Sequence, residues 1–188
     1  RQMCIRDRLN TINPKLLEIN FGAGIESIKV EVDGGLGLDL GSAPQRAGGD
    51  ARNVDSEWAQ ENAPVLKFTN TDGTIIDVRA CDTANFETYT AFGRDVTTRK
   101  ELKTKVLEIS AAWEAMGDSK YKIKSIGGYS CRTIGITGAN AQKISTHAYG
   151  VTLDINPKEN PYIRTKPASG WGARSTYTDM PTEFVKLF

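Results

Sequence analysis

Histidine is the scarcest chemically useful residue of this sequence, since its 188 residues include only one, His147. These residues therefore cannot by themselves supply a metal site with two or three histidine ligands. Long apolar runs are also missing, because no stretch approaches the roughly 20 apolar residues of a membrane-spanning helix. We therefore expect no membrane partner.

An excess of either charge is absent as well. Lys and Arg together number 24 and Asp and Glu 23, so the formal net charge is +1. The wide basic surface that drives most nucleic-acid binding is not available, and we expect no nucleic-acid partner. The remaining composition, 39% hydrophobic and 25% charged, is typical of a globular chain, and the length suits one domain with a modest extension.

The two ends of the sequence predict an internal fragment. Residues 1–8, RQMCIRDR, have no periodicity and resemble the translated read-through of a sequencing-library adapter, so we treat them as non-native. At the other end, the apolar pattern of residues 184–188 follows Pro181 and predicts a helix that is cut after its first turns. We expect the sequence to be open at both ends, so a signal peptide cannot be assessed.

Without Cys4 of the non-native segment, two cysteines remain, Cys81 and Cys131. Free cysteine is among the most buried residue types, so two buried thiols are the favoured interpretation. A disulfide between them is the alternative, which the spacing alone does not decide.

Alternating apolar residues predict two hairpins in the first part of the chain. Residues 28–32 and 36–40 flank an Asp-Gly-Gly, and residues 65–68 and 75–78 flank Asp72-Gly73. Between the two hairpins, residues 41–50 are rich in Gly and poor in apolar side chains. We therefore predict a β-hairpin and Gly-rich extension or linker over residues 9–60, and a separate domain over residues 61–188.

The second part predicts one clear helix and two strands. Thr98 and Glu101 fit a capping box, an apolar stripe at helical spacing follows, and Gly117 fits the end of the helix after Met116. Residues 121–126 and 151–155 are predicted strands. Their period of two places Asp154 on the face opposite the apolar row.

His147 lies just before the second strand, and Asp154 follows it seven residues later. Imidazole and carboxylate groups are preferred zinc ligands, and Gly150 between them allows a close turn. Two ligands do not make a site, however, and a hydrogen-bonded structural pair is the alternative at this point.

The motif Ser-x-His-x-x-Gly-x-x-x-Asp at 145–154 is followed by Ile-Asn-Pro at 155–157 and Asn-Pro-Tyr at 160–162. Together with Gly-Gly-Tyr-Ser-Cys-Arg at 127–132, it resembles the zinc D-alanyl-D-alanine carboxypeptidase and L-alanyl-D-glutamate endopeptidase family. The similarity is greatest to its VanY-like branch, which includes phage endolysins. Thr152 departs from the family, which usually has Ala there. The resemblance implies an α+β fold, with a mostly antiparallel sheet packed against helices.

By this resemblance, His147 and Asp154 are zinc ligands, Arg132 binds the substrate peptide, and Ser145 is a polar residue that helps to position the motif beside the substrate. Tyr149 and Tyr162 are expected to pack against the zinc loop. The family's third zinc ligand, a histidine, and its acidic general base follow in a segment that this sequence does not contain. We therefore expect residues 61–188 to be a peptidase domain that lacks its catalytic base, binds zinc weakly and is inactive.

The resemblance implies a zinc peptidase that hydrolyses an amide bond of the peptidoglycan stem peptide and acts as a monomer at the bacterial cell wall. Two other functions remain open. The chain could be a non-catalytic phage structural or wall-binding module with the same fold. It could also be an unrelated α+β domain in which His147 and Asp154 only form a hydrogen bond.

Overall fold

The computed structural model describes residues 16–19 and 28–32 as backbone, and residues 51–69, 74–135, 143–160 and 179–188 in more detail. Strands in these parts are β1 Leu16–Ile19, β2 Ile28–Val32, β3 Leu66–Thr69, β4 Ile75–Val78, β5 Phe86–Ala91, β6 Arg94–Arg99, β7 Ile126–Gly127 and β8 Asp154–Ile155. Helices are α1 Ser56–Asn62, α2 Lys103–Glu114 and α3 Thr182–Val185, with 3₁₀ turns at Thr83–Asn85, Lys100–Leu102, Gly117–Ser119 and Thr146–Tyr149. None of these helices is long and apolar enough to cross a membrane.

The described strands form three antiparallel sheets, with β1-β2-β3-β4 in one, β5-β6 in another and β7-β8 in the third. Together with the helices they confirm an α+β fold, although the antiparallel strands do not form one continuous sheet. The predicted hairpin of β3 and β4 is confirmed, with Leu66 opposite Val78 and Phe68 opposite Ile76. Period-two alternation around a tight turn thus predicted this pairing correctly.

The first predicted hairpin is wrong in its pairing. Strand β2 is hydrogen-bonded to β1 on one edge and to β3 on the other, so both edges are occupied. A strand has two edges, and residues 36–40, which lie outside the described residues, cannot pair with β2 in the predicted way. The β2–β3 pairing also joins strands from both sides of the predicted linker.

Helix α1 begins within the predicted linker region. The Asp55 carboxylate accepts a hydrogen bond of 2.9 Å from the backbone N–H of Trp58 and so caps the helix. Val54 and Ala59 are fully buried in a core that also contains Phe68, Ala148 and Tyr149. Residues 51–62 are therefore packed against the segment that carries His147, while the predicted division at residue 60 stays a prediction.

The predicted start of the long helix is wrong by five residues. Thr98 lies in β6 rather than at a helix cap: its hydroxyl donates to the carbonyl oxygen of Arg99 and lies 2.8 Å from the Tyr89 hydroxyl across the hairpin. Thr98 and Val96 are β-branched and half of a cross-strand packing surface, which outweighs the local capping signal. The helix end agrees better, because Gly117 has a φ of +59°.

Helix α2 packs on the β5-β6 hairpin, and the C-terminal helix α3 completes this second core. Val106, Ile109 and Trp113 are buried on one face of α2. The Trp113 indole N–H donates to the carbonyl oxygen of Tyr121 at 2.8 Å, and Phe184 of α3 is fully buried. The second core therefore fixes the segment that leads into β7.

The two strands predicted near the site are shorter than expected, because only residues 126–127 and 154–155 pair. The alternation before Asp154 is also incomplete. Thr152, predicted to share the exposed face with Asp154, is buried, and its hydroxyl donates to the Thr146 hydroxyl at 2.7 Å. The family departure at position 152 therefore places a hydroxyl within the core beside the His147 turn.

Two residues of α2 test the second core. Ile109→Ala removes a buried side chain and is expected to lower the free energy of unfolding by about 2–5 kcal/mol. Leu107→Ala, on the same helix at a site 37% exposed, is the matched control and should cost far less. Urea unfolding monitored by tryptophan fluorescence measures both, and equal effects would contradict this packing.

Candidate metal centre

His147 lies in a short 3₁₀ turn, Thr146–Tyr149, which we call the His147 turn. Ser145 caps its start, because the Ser145 hydroxyl accepts a hydrogen bond of 3.3 Å from the His147 backbone N–H. Gly150 ends it with a φ of +68°. A Cβ at Gly150 would lie 3.0 Å from the Arg99 nitrogen, so the spacing of Ser, His and Gly reflects the local geometry of the turn.

The backbone of the His147 turn is held from two sides. On one side, Ser130 N–H donates to the His147 carbonyl at 3.1 Å, and Ser145 N–H donates to the Arg132 carbonyl at 3.0 Å. On the other side, Cys81 N–H donates to the Ala148 carbonyl at 2.7 Å. The turn is thereby clamped between the end of β4 and the loop that follows β7.

These two flanking segments are joined by a disulfide between Cys81 and Cys131, with a Cα–Cα distance of 5.3 Å. The favoured prediction of two free thiols is therefore wrong, and the alternative is confirmed. The cysteines are 50 residues apart in sequence, and they meet because each segment is hydrogen-bonded to the His147 turn. A composition argument about free cysteine does not contain this proximity.

The imidazole of His147 has a defined orientation. Its Nδ1 lies 2.5 Å from the carbonyl oxygen of Gly128. A carbonyl oxygen only accepts hydrogen bonds, so Nδ1 carries a proton. The other nitrogen, Nε2, lies 3.1 Å from Oδ2 of Asp154. In the neutral ring Nε2 has a lone pair, and that lone pair faces a carboxylate oxygen.

Two lone-pair groups at this distance need a positive charge between them. A second proton on the imidazole would supply it, and so would a metal ion. Ligands about 2.1 Å from a tetrahedral Zn²⁺ lie about 3.4 Å apart, close to the 3.1 Å between Nε2 and Oδ2. Backbone bonding of Nδ1 is also the usual arrangement for a metal-binding histidine. The donor set therefore fits two positions of a zinc site.

A third protein ligand is not present among the described residues, which contain no group of three or more His, Cys, Asp or Glu side chains. The intervening segments 136–142 and 161–178 contain none of these residue types in the sequence. His147 is buried, whereas the Asp154 side chain is 22% exposed, so solvent reaches the pair from the Asp154 side. An ion or substrate would approach from there.

Arg132 and Ser145 lie on adjacent segments of the same clamp. The Arg132 side chain is half-buried, and its Nη1 donates to the Thr133 carbonyl at 3.3 Å. Ser145 is buried at the cap of the His147 turn. The structure thus brings both residues beside the His147 turn, and their contact with substrate stays a prediction.

Tyr149 packs as expected rather than facing the ligand pair. Its ring is buried, its hydroxyl donates to the Pro64 carbonyl at 2.8 Å, and burial raises its pKa well above the usual value. Tyr162 lies outside the described residues. Tyr149 therefore supports the His147 turn from the first core.

Gly128 is a site residue whose role the sequence patterns did not identify. A Cβ there would lie 2.2 Å from the Thr97 carbonyl oxygen, and Tyr129 N–H donates to the same oxygen at 2.8 Å. Strand β6 therefore presses directly against the backbone that binds His147 Nδ1. The Gly-Gly pair indicated a strand end but not this contact.

Arg99 of β6 is a second such residue, because its place was assigned to a helix. Its guanidinium is buried and donates twice, at 3.1 Å, to the Glu101 carboxylate, while its backbone N–H donates to Gly150 at 3.1 Å. The remaining nitrogen, Nη1, has no hydrogen-bond partner within the described parts of the chain. Arg99 thus packs against the end of the His147 turn.

The segment that carries this pair has a recognisable relative. Residues 139–188 match the profile of a D-alanyl-D-alanine carboxypeptidase family. The match includes Ser145, His147 and Asp154 but not Arg132. Neither a curated protein nor a solved structure matches the chain. The match supports the predicted resemblance at the level of the family and indicates a peptidase related to peptidoglycan.

Two neighbouring glycines test how His147 is oriented. Gly128→Ala should displace the carbonyl that binds Nδ1, because its Cβ would collide with Thr97. We expect the affinity for Zn²⁺, measured by competition with a chromophoric chelator, to fall about 10–100-fold, as for other groups that orient a metal ligand. Gly127→Ala is the matched control, since its Cβ meets only the Asp154 Cβ at 3.8 Å. Equal losses in the two variants would contradict this role.

Removing the disulfide tests the clamp. The double variant Cys81→Ser, Cys131→Ser should lose about 4 kcal/mol of unfolding free energy, given the 50-residue separation. Urea unfolding with and without a reductant measures this loss. The reductant should destabilise the wild type and leave the double variant unchanged, which makes the variant its own control. A wild type that is indifferent to complete reduction would refute the clamp.

Proposed function

We propose that this protein is a zinc-dependent peptidase that hydrolyses an amide bond in the stem peptide of peptidoglycan. The D-alanyl-D-alanine carboxypeptidase and L-alanyl-D-glutamate endopeptidase types are both included. The observation that carries the proposal is the His147 Nε2–Asp154 Oδ2 pair, 3.1 Å apart, inside the segment that matches the carboxypeptidase profile. A fixed imidazole beside a partly exposed carboxylate is a donor set suited to zinc.

His147 and Asp154 would hold the metal through Nε2 and Oδ2. The zinc would supply Lewis-acid chemistry, lowering the pKa of a water and polarising the carbonyl that is attacked. The chain's own contribution is orientation: Gly128 keeps the proton on Nδ1 and leaves Nε2 free for the metal. The general base is not assigned to any residue of the chain.

Arg132 would orient the peptide. Its guanidinium stays charged at every relevant pH and offers a planar fork to a carboxylate, the group that ends or branches a stem peptide. Its loop is tied to the His147 turn by the Ser145–Arg132 and Ser130–His147 backbone hydrogen bonds. A carboxylate bound by Arg132 would therefore be held at a constant position relative to the ligand pair.

The disulfide supports a site of action outside the cytoplasm. Disulfides form and persist in oxidising compartments and are rare where thiols are kept reduced. The Cys81–Cys131 bond holds both flanks of the His147 turn. We place the protein at the bacterial cell wall, as a lysin or a secreted enzyme, acting as a monomer on the stem peptide.

Zinc binding and amide cleavage are measured separately. Isothermal titration with Zn²⁺ should show binding that His147→Ala abolishes, while Lys158→Ala, at an exposed position near the motif, leaves it unchanged. Cleavage is followed as new amino groups released from purified cell walls, with this chain and with any coding sequence that continues beyond Phe188. His147→Ala should reduce cleavage by more than the roughly 10–100-fold typical of groups behind the ligands.

The two measurements separate the proposal from its rivals. Zinc binding without release of amino groups by either form would favour a non-catalytic phage or wall-binding module with the same fold. Cleavage that persists in His147→Ala, or that needs no metal, would refute the zinc peptidase. An absence of zinc binding would favour a hydrogen-bonded His147–Asp154 pair.

A further inference from the structure

Asp154 lies on a very short strand for a metal ligand. Strands β7 and β8 have two residues each, with Ile126 opposite Ile155 and Gly127 opposite Asp154. So short a pairing does not by itself specify its register, and a slip of one residue would turn Asp154 to the opposite face of β8. Something beyond this ladder must hold Asp154 toward His147.

Asn156, two residues after Asp154, makes the contacts that could do this. Its side-chain Oδ1 accepts hydrogen bonds from the backbone N–H groups of Lys124 and Ser125, at 2.7 and 3.0 Å. Its Nδ2 donates to the Lys122 carbonyl at 2.8 Å and to the Tyr121 hydroxyl at 2.9 Å. The carboxamide therefore takes the place of strand pairing along the segment that leads into β7.

The backbone of Asn156 is adapted to this contact. The residue is fully buried and has a φ of +46°, a conformation that Asn tolerates better than most residues. Its N–H donates to the Ser125 carbonyl at 2.9 Å, and its carbonyl accepts from Asn160 N–H at 2.9 Å. The side chain uses all of its hydrogen-bonding capacity within the protein.

We propose that Asn156 is a positioning residue that fixes the register of β8 and thereby holds the Asp154 carboxylate against His147 Nε2. The inference rests on the proposed metal site and concerns how the chain builds it. Asn156 does not touch the ion or the substrate; it acts through the backbone of residues 124–125 and through Asp154. Its role differs from that of an ordinary buried Asn, which would stabilise the fold without a specific effect on the His147–Asp154 pair.

Tyr121 offers the matched control, because it belongs to the same buried network. Its hydroxyl donates to Asp179 and accepts from Asn156 and Asn160. Burial, followed by the hydrogen bond to Asp179, raises the pKa of this phenol. Tyr121→Phe removes these bonds but leaves the contacts of Asn156 with Lys122, Lys124 and Ser125. It should destabilise the fold while Asp154 remains in register.

The test compares Asn156→Gly, which keeps the left-handed backbone accessible and removes the carboxamide, with Tyr121→Phe. Both variants should lower the melting temperature. Only Asn156→Gly should weaken Zn²⁺ binding, by about 10–100-fold in chelator competition. It should also shift the Nε2 signal of the imidazole in the metal-free protein, while Nδ1 keeps its proton on Gly128. The single histidine makes this ¹⁵N spectrum unambiguous.

Equal zinc affinities in the two variants, with unchanged imidazole signals in folded Asn156→Gly, would overturn the proposal. If Asn156→Gly does not fold, Lys124→Pro removes one of the two N–H donors to Oδ1, with Lys124→Ala as its control. The proline variant alone should then weaken zinc binding and shift Nε2, and identical behaviour of the two would overturn the proposal. If the wild type binds no zinc, the proposed function fails, and the imidazole spectra still decide the role of Asn156.

Discussion

The hydrogen bond between His147 Nδ1 and the carbonyl oxygen of Gly128 is the interaction on which the candidate site depends. Because the carbonyl accepts only, it determines which nitrogen carries the proton of the neutral ring and which remains a potential ligand. With Nδ1 engaged, Nε2 faces Asp154, and the pair needs a second proton or a cation for its stability. The chemistry of the site follows from this one orientation.

The position of the Gly128 carbonyl depends in turn on elements distant in sequence. Thr97 of β6 packs so closely that only glycine fits at position 128, and Arg99 of the same strand donates to Gly150 at the end of the His147 turn. The disulfide segments hold the turn from the other directions. The two cores thus contribute unequally to the site: one supports the turn from behind through Tyr149, and the other supplies the strand that limits Gly128.

Local signals predicted those features whose cause is local. Ser145 and Gly150 are the cap and the end of a tight turn, so their spacing around His147 could be recognised from the sequence, and the β3–β4 hairpin could be recognised from its alternation. The predictions that were wrong concern competition between local and distant contacts. Thr98 and Glu101 satisfy a capping pattern, yet Thr98 is used by a strand whose partner, Tyr89, lies across a hairpin. The same limitation explains the pairing of β2 and the predicted free thiols.

By itself, the sequence determined the two candidate ligands, the turn that presents one of them, the class of fold, and a resemblance to zinc peptidases. The tertiary structure alone decided which imidazole nitrogen faces Asp154, that Cys81 and Cys131 are joined, and that Asn156 bridges to residues 122–125. The physical reason is the range of the interactions. Caps, turns and alternation depend on residues a few positions apart, whereas the protonation pattern of His147 depends on a carbonyl 19 residues away, whose position is set by strand β6.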